Sequence, residues 1–168
     1  AAHGIKVYLM HGNRDLLMGG ALAQACHAAL LPDPTLLDLY GTTTLITHGD
    51  KLCTGDVEYQ KFRAQVHDAE FQKNFLLQPL PARKAYIEQL RQLSATAKQG
   101  KDSAIMDVSD DAVAALLREH RYPRLIHGHT HRPNRHEHVV DGHACERWVL
   151  SDWDQQASAL RCDAQGCR

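Results

Sequence analysis

The sequence lacks several features that would assign it to a common class of protein. Its five cysteines are odd in number, and no pair has C-x-x-C spacing, which argues against a disulfide framework and a cysteine zinc finger. No uninterrupted apolar run approaches the roughly 18 to 20 residues that a bilayer-spanning helix needs. Internal repeats and low-complexity segments are also absent. The cysteine pattern favours a protein of the reducing cytosol.

The chain also lacks a charge imbalance. Its 19 Lys and Arg against 20 Asp and Glu give a formal net charge of −1, so we expect no nucleic-acid partner. The 168 residues suffice for one domain with a sizeable core. Histidine, by contrast, is abundant: there are twelve, and seven of them lie within residues 120–143. Because histidine is the commonest metal ligand, this clustering favours a metal site.

Apolar runs that alternate with polar loops predict an α/β protein. We divide it into the first part of an α/β core (1–55), a helical insertion (56–104) and the second part of the core (105–168). Strands are predicted at 6–10, 36–39, 43–47, 123–127, 147–153 and 157–162. Helices are predicted at 16–31, 57–66, 71–76, 82–93 and 109–120, the last with Ser109 as its N-cap.

Three polar loops, each after a predicted strand, carry side chains that can bind a metal ion. They contain Asn13, His48, and the pair His129 and His131. Since ligands of α/β proteins bind beyond the carboxyl ends of the strands, we expect these loops to converge. Nitrogen and oxygen donors without thiolate suit Mn²⁺, Fe²⁺ or Zn²⁺. For any one loop alone, the alternative is an ordinary turn.

The order of these motifs resembles that of the calcineurin-like metallophosphoesterases. The longer pattern HGNRD … HGD.LCT.D..YQ.FR … SAIMDV … LIHGHTHRP … R.VL.DW is similar to the members that act on UDP-2,3-diacylglucosamine in lipid A synthesis. The resemblance covers essentially the whole chain. It implies part of a two-sheet αββα sandwich with an inserted helical cap, and hydrolysis of that lipid's pyrophosphate at the cytoplasmic face of the inner membrane.

The resemblance also implies roles for individual residues. Asn13, His48 and His129 would bind one Mn²⁺ ion of a dinuclear centre, and His131 the other. Arg14 would be catalytic, since its planar guanidinium suits a phosphate oxygen; the alternative is a surface salt bridge. The implied substrate-binding residues are Asn13, Arg14, Asp56, Ser94, Lys98, Lys101 and His129. The family tends to have asparagine in place of Lys98, which departs from the pattern.

A second departure concerns the D-x-H and G-D motifs with which the family begins. They carry three metal ligands, including a bridging carboxylate, and have no counterpart in this sequence. We therefore expect the 168-residue stretch by itself to be inactive and to bind metal weakly. Two alternatives stay open: a metallophosphoesterase acting on a soluble nucleotide, and a non-catalytic fragment that binds a partner.

Three further interpretations depend on the surroundings of the residues. His127 corresponds to no ligand, and we expect it to be buried and hydrogen-bonded at the end of its strand. Asp50 would either orient an imidazole or belong to a plain turn. Asp56 is predicted to cap the first helix of the insertion. The apolar residues of the insertion would form either ordinary core or a groove for acyl chains; they are Phe71, Phe75, Leu76, Leu77, Leu80, Ile87, Leu90 and Leu93.

Overall fold

Strands and helices alternate along the chain in the computed structural model, which describes residues 3–99, 105–154 and 156–168. The strands are β1 (Val7–Met10), β2 (Ala28–Leu31), β3 (Thr35–Leu39), β4 (Thr42–Thr47), β5 (Arg124–His127), β6 (Asn134–Val140), β7 (His143–Val149), β8 (Cys162–Asp163) and β9 (Gly166–Cys167). The helices are α1 (Gly20–Ala25), α2 (Val57–His67), α3 (Ala69–Leu77), α4 (Leu80–Gln99) and α5 (Asp110–Glu119), with a 3-10 turn at Asp50–Leu52. The predicted mixed α/β class is confirmed.

A five-stranded mixed sheet forms the centre of the fold, in the order β3-β4-β5-β7-β6. Its three inner strands are parallel, and the two edge strands run antiparallel to their neighbours. Thr47 of β4 lies opposite His127 of β5, which lies opposite Val149 of β7. The loops after β4 and β5 therefore leave the sheet side by side.

The core lies between this sheet and α5. Ser109 caps the helix as predicted, accepting a hydrogen bond from the amide of Ala112 at 3.3 Å. A cluster of buried apolar side chains holds the helix on the sheet, since fully burying one aliphatic side chain is worth about 1.5–3 kcal/mol. Its buried members are Leu45, Leu52, Val113, Leu117, Leu125, Val140 and Cys145.

The helix predicted over 16–31 is confirmed only in its middle and is wrong at both ends. Only Gly20–Ala25 is helical, and Ala28–Leu31 forms a strand that pairs in parallel with β1. His27 ends the helix in the left-handed region, with φ +52°. A short apolar run does not by itself distinguish helix from strand. Here α1 brings the chain back beside β1, and the hydrogen bonds to β1 favour the strand.

The C-terminal region also differs from the prediction. The strand expected at 147–153 ends at Val149, and only Cys162–Asp163 is extended where 157–162 was predicted. A further strand, β6, was missed, because its histidines and charged residues conceal the alternation of one exposed and one half-buried face. The hairpin of β3 and β4 around Gly41 is confirmed.

The three helices predicted in the insertion are present, each longer than expected. Asp56 caps α2, as predicted, by accepting a hydrogen bond from the amide of Tyr59 at 3.1 Å. Neither α2 nor α3 contains a buried residue. Within the described part of the chain, no helix has the length and apolar character needed to cross a membrane.

Candidate metal centre

Three predicted site residues meet beyond the ends of the strands. The backbone amide of Asn13 donates to Nε2 of His48 at 3.3 Å. Nδ1 of His129 lies 3.2 Å from the same Nε2 atom, and the two imidazole rings meet edge to face. The amide of Gly128 donates to the carbonyl of His48 at 3.1 Å, which ties the two loops together directly. The predicted convergence of these loops is therefore confirmed, while the role of their side chains as ligands stays a prediction.

Glycine allows this close approach at two positions. At Gly49, where φ is +103°, a Cβ atom would lie 2.8 Å from Nδ1 of His127. At Gly12, a Cβ atom would lie 3.1 Å from Cε1 of His48. A side chain at Gly49 would be strained by its backbone conformation and would also clash, so this glycine is required by the packing of the two loops.

His131 occupies a different environment from His48. It is exposed, and its Nδ1 atom lies 3.4 Å from a carboxylate oxygen of Asp152, on the loop after β7. Both His129 and His131 have left-handed backbones, with φ of +66° and +55°. Such conformations are uncommon outside glycine and tend to occur at functional sites. The structure thus pairs His131 with a carboxylate rather than with His48.

His127 is a buried structural residue, as predicted, with no measurable exposure. Its Nε2 atom lies 3.1 Å from Nη1 of Arg147, and its Nδ1 atom 2.9 Å from the carbonyl of Gly128. Because a guanidinium can only donate, Nε2 must accept and Nδ1 must carry the hydrogen that is donated to Gly128. Burial lowers the pKa of His127 to about 4, so this imidazole is neutral at neutral pH.

Asp50 begins the 3-10 turn Asp50–Leu52, as one of the two interpretations has it, and no described hydrogen bond joins its side chain to an imidazole. It is buried, and its carboxylate accepts a hydrogen bond from the Tyr59 hydroxyl at 2.9 Å and lies 3.0 Å from Nε of Arg63. Burial alone would raise the pKa of Asp50, but these two partners outweigh it and hold the pKa below its ordinary value. Both partners belong to α2. Asp50 therefore anchors the insertion to the strand-end loops.

Tyr59 was not identified as a site residue from the sequence, although it lies in the quoted YQ.FR motif. Its ring centroid is 5.4 Å from that of His129, and its hydroxyl also forms a hydrogen bond with the side chain of Asn13. Burial beside Asp50 raises the pKa of Tyr59, so the hydroxyl stays protonated and can donate to the carboxylate. Tyr59 thus joins α2 to two of the predicted ligands.

His48 is suited to act as a ligand. Its imidazole is half-buried, and this burial lowers its pKa although nearby Asp50 and Asp33 favour the charged form. A neutral imidazole keeps the lone pair that metal coordination requires.

Arg14, predicted to bind phosphate, is exposed beside Asn13 and forms no ion pair with any residue that the structure describes. The alternative interpretation, a surface salt bridge, therefore finds no partner among the described residues, and the role of Arg14 at the phosphate stays a prediction. The guanidinium keeps all its donors available, as an anion-binding side chain requires.

The remaining predicted substrate residues do not join this cluster through any described contact. Ser94 is exposed on α4. Lys98 lies in the same helix, but its side chain is outside the described part of the structure, and Lys101 lies outside the described residues altogether. Their predicted role in binding substrate stays a prediction.

Among the side chains that the structure describes, no three or more of His, Cys, Asp and Glu are grouped so that they could hold a metal ion. The cluster beyond β1, β4 and β5 offers two imidazoles and one amide.

Comparison with known proteins identifies the chain's relatives. No protein-family model matches it. It is 54% identical to the UDP-2,3-diacylglucosamine hydrolase of Aromatoleum aromaticum, over 99% of this chain and 68% of that protein. It is 50% identical to the protein of the same name from Xanthomonas axonopodis pv. citri, over 99% of this chain and 70% of that protein. The protein of that name from Xanthomonas oryzae pv. oryzae is 50% identical over 97% of this chain and 69% of its own length. The chain therefore belongs to the UDP-2,3-diacylglucosamine hydrolase family.

Proposed function

We propose that this protein hydrolyses the pyrophosphate bond of UDP-2,3-diacylglucosamine, giving UMP and 2,3-diacylglucosamine 1-phosphate for lipid A biosynthesis. The observation that carries the proposal is the 54% identity, over almost the whole chain, to a relative named for that substrate. The convergence of Asn13, His48 and His129 supports it, because these residues lie in the motifs that the family shares. We also propose that β1 and β2 belong to the second sheet of a metallophosphoesterase sandwich.

The donor set fits a transition-metal ion. Two imidazole nitrogens bound about 2.1 Å from one ion lie about 3.0 to 3.4 Å apart in octahedral or tetrahedral geometry. The observed separation of 3.2 Å between the His48 and His129 nitrogens lies within that range. Asn13, His48 and His129 would hold one Mn²⁺ ion, and His131 would contribute to a second. When bound, the ions supply an activated water and neutralise phosphoryl charge.

Arg14 would bind the pyrophosphate. Its exposed guanidinium, next to Asn13 in sequence and without an ion pair among the described residues, can take two phosphoryl oxygens at once. We propose that it orients the phosphate and stabilises the charge that develops on it in the transition state. Asp56, Ser94, Lys98 and Lys101 would contact other parts of the substrate.

The insertion would hold the acyl chains. Its helices α3 and α4 leave large apolar side chains exposed, among them Leu76 (50%), Leu77 (73%), Leu80 (53%) and Leu93 (60%). An ordinary core would bury these residues, whereas a groove for acyl chains needs them accessible. Because such a substrate resides in the bilayer, we propose that the protein works at the cytoplasmic face of the inner membrane as a peripheral protein.

The experiment is a release assay for UMP with purified protein that carries this stretch together with the D-x-H and G-D motifs of the family, stripped of metal by a chelator and then reloaded with Mn²⁺. We expect activity on UDP-2,3-diacylglucosamine only after reloading, and much weaker activity on a soluble nucleotide diphosphate. Equal turnover of the soluble compound would favour the alternative of a general nucleotide phosphoesterase. Full activity in the presence of the chelator would overturn the proposed metal requirement.

A further inference from the structure

We infer that Arg147 and His127 form a positioning pair that sets how the side chains of His48 and His129 face each other. Neither residue is assigned a ligand or substrate role by the motifs. The inference deepens the proposed function, because it matters for activity only if these two histidines bind the metal ion.

Arg147 lies beneath the site on β7 and is almost fully buried, with 6% of its surface exposed. Its Nη1 atom lies 3.1 Å from Nε2 of His127, and its Nε atom donates to Nε2 of His138 at 3.0 Å. Leu125 is the strand partner of Arg147, so His127, two residues further along β5, projects from the same face of the sheet. The guanidinium thus spans two imidazoles in a fixed geometry that a single ammonium could not reproduce.

His127 transmits this constraint to both loops. Its Nδ1–H donates to the carbonyl of Gly128, immediately before His129. The same Nδ1 edge of the ring fits against Gly49, immediately after His48, so closely that a Cβ atom there would lie 2.8 Å from Nδ1. One ring therefore contacts the neighbours of both predicted ligands.

The main chain of His127 completes the arrangement. Its carbonyl accepts a hydrogen bond from the amide of Leu150 at 2.8 Å, at the beginning of the loop after β7. The strand end is thus held in place, and the remaining freedom of His127 is rotation of its side chain. The bond from Arg147 removes that rotation, because it requires Nε2 to face β7. If the bond is lost, we expect the His127 ring to turn and the side chains of His48 and His129 to lose their facing arrangement, while the hydrogen bond from the Gly128 amide to the His48 carbonyl keeps the two loops adjacent.

The test compares Arg147→Lys with Arg135→Lys in metal-free protein. Arg135 is a matched control, since it lies on the adjacent strand β6, points to the opposite face of the sheet, and pairs at the surface with Glu146 at 2.6 Å. Imidazole NMR reports the tautomer of His127 and the ring-to-ring nuclear Overhauser effect between His48 and His129. We expect wild type and Arg135→Lys to show the Nδ1–H tautomer and the Overhauser effect, and Arg147→Lys to lose both at an unchanged fold.

A second arm titrates Mn²⁺ and follows the broadening of the His48 and His129 signals. Loss of a residue that holds a metal ligand in place typically costs 10–100-fold in metal affinity. We therefore expect the dissociation constant for Mn²⁺ to rise about tenfold in Arg147→Lys and to stay unchanged in Arg135→Lys. If Arg147→Lys fails to fold, His127→Gln takes its place. Its amide can keep one of the two hydrogen bonds of His127 but not both, so this variant should also lose the Overhauser effect and bind Mn²⁺ more weakly. An unchanged Overhauser effect in the folded variants would overturn the positioning role. If wild type shows the effect but releases no UMP from the lipid substrate, the proposed function fails while the positioning role stands.

Discussion

The strand-end loops and the helical insertion are adjacent in the chain but are built on opposite principles. His127 and Asp50 are buried, and each forms a hydrogen bond through its side chain, His127 with Arg147 and Asp50 with Tyr59. In α2 and α3 no residue is buried, and Leu77 is 73% exposed. In the first region, burial and hydrogen bonds fix the positions of a few polar atoms. In the second, apolar side chains stay exposed that a folded core would have covered. Two side chains of α2, Tyr59 and Arg63, connect them through Asp50.

The largest difference between the regions should appear when leucine is truncated in each. Leu125→Ala removes a fully buried side chain from the core beneath α5 and should lower the free energy of unfolding by about 2–5 kcal/mol. Leu77→Ala should change it by less than about 0.5 kcal/mol, because that side chain is mostly exposed. Urea unfolding of the two variants measures both. Similar losses would show that the insertion relies on Leu77 as core.

Lowering the pH should weaken the strand-end region. His127 has a pKa of about 4 when folded, below the ordinary value of about 6.5, so the unfolded chain binds more protons between these pH values. The stability that this histidine contributes is present above pH 6.5 and is lost as the pH falls towards 4, by about 3 kcal/mol. Urea unfolding from pH 7 to pH 4 tests this. The control is His127→Gln, which removes this imidazole and should remove its part of the pH dependence. A flat profile would contradict the buried neutral imidazole.

Removing the connection between the regions should have an intermediate effect. Tyr59→Phe deletes the hydroxyl that donates to Asp50 and leaves this buried carboxylate with one partner fewer. Hydrogen bonds to charged groups are worth about 1.5–3 kcal/mol, and we expect a loss of stability in that range. Amide hydrogen exchange should increase in α2 but not in β5. Tyr86→Phe is the control, since its ring packs on Phe75 within the insertion. Equal effects of the two variants would argue against the connection.

Arg14→Lys should separate phosphate binding from folding. Lysine keeps the charge but loses the forked pair of donors, so we expect kcat to fall about tenfold or more with a modest change of KM. The unfolding midpoint should not move, because Arg14 is exposed and has no ion pair among the described residues. Arg118→Lys, which alters an exposed pair with Asp141 away from the site, is the control. Unchanged kinetics would exclude a role for Arg14 in the reaction.

The smallest predicted effect concerns the apolar surface of the insertion. Leu77→Ser should leave folding and turnover of a short-chain analogue unchanged but raise KM for the diacylated substrate up to about tenfold, since each buried methylene is worth about 0.8 kcal/mol. Phe71 and Phe75 stack on each other and are half-buried, so their serine variants should also lose some stability. Equal losses on both substrates for Leu77→Ser would contradict the acyl-chain groove.

Much of the molecule could be predicted from local patterns. The motifs around Asn13, His48 and His129 identified the family and predicted which loops converge, and the positions of Ser109 and Asp56 before the helices they cap identified two helix starts. Residues 36–47 predicted a hairpin. These features depend on neighbours within a few positions, so the sequence contains all the information they need.

Other features depended on contacts between distant residues. The apolar run Ala28–Leu31 became a strand because β1 offers it hydrogen-bonding partners, and β6 formed despite its polar sequence because β7 lies beside it. Asp50 became the anchor of α2, rather than an aid to an imidazole, because Tyr59 and Arg63 reach it. His127 is neutral because burial lowers its pKa, and its Nε2 atom accepts from Arg147, twenty residues away. Residue types alone determined which chemistry was possible here, and only the tertiary structure decided which donor met which acceptor, because burial and long-range pairing set the energy of each polar group.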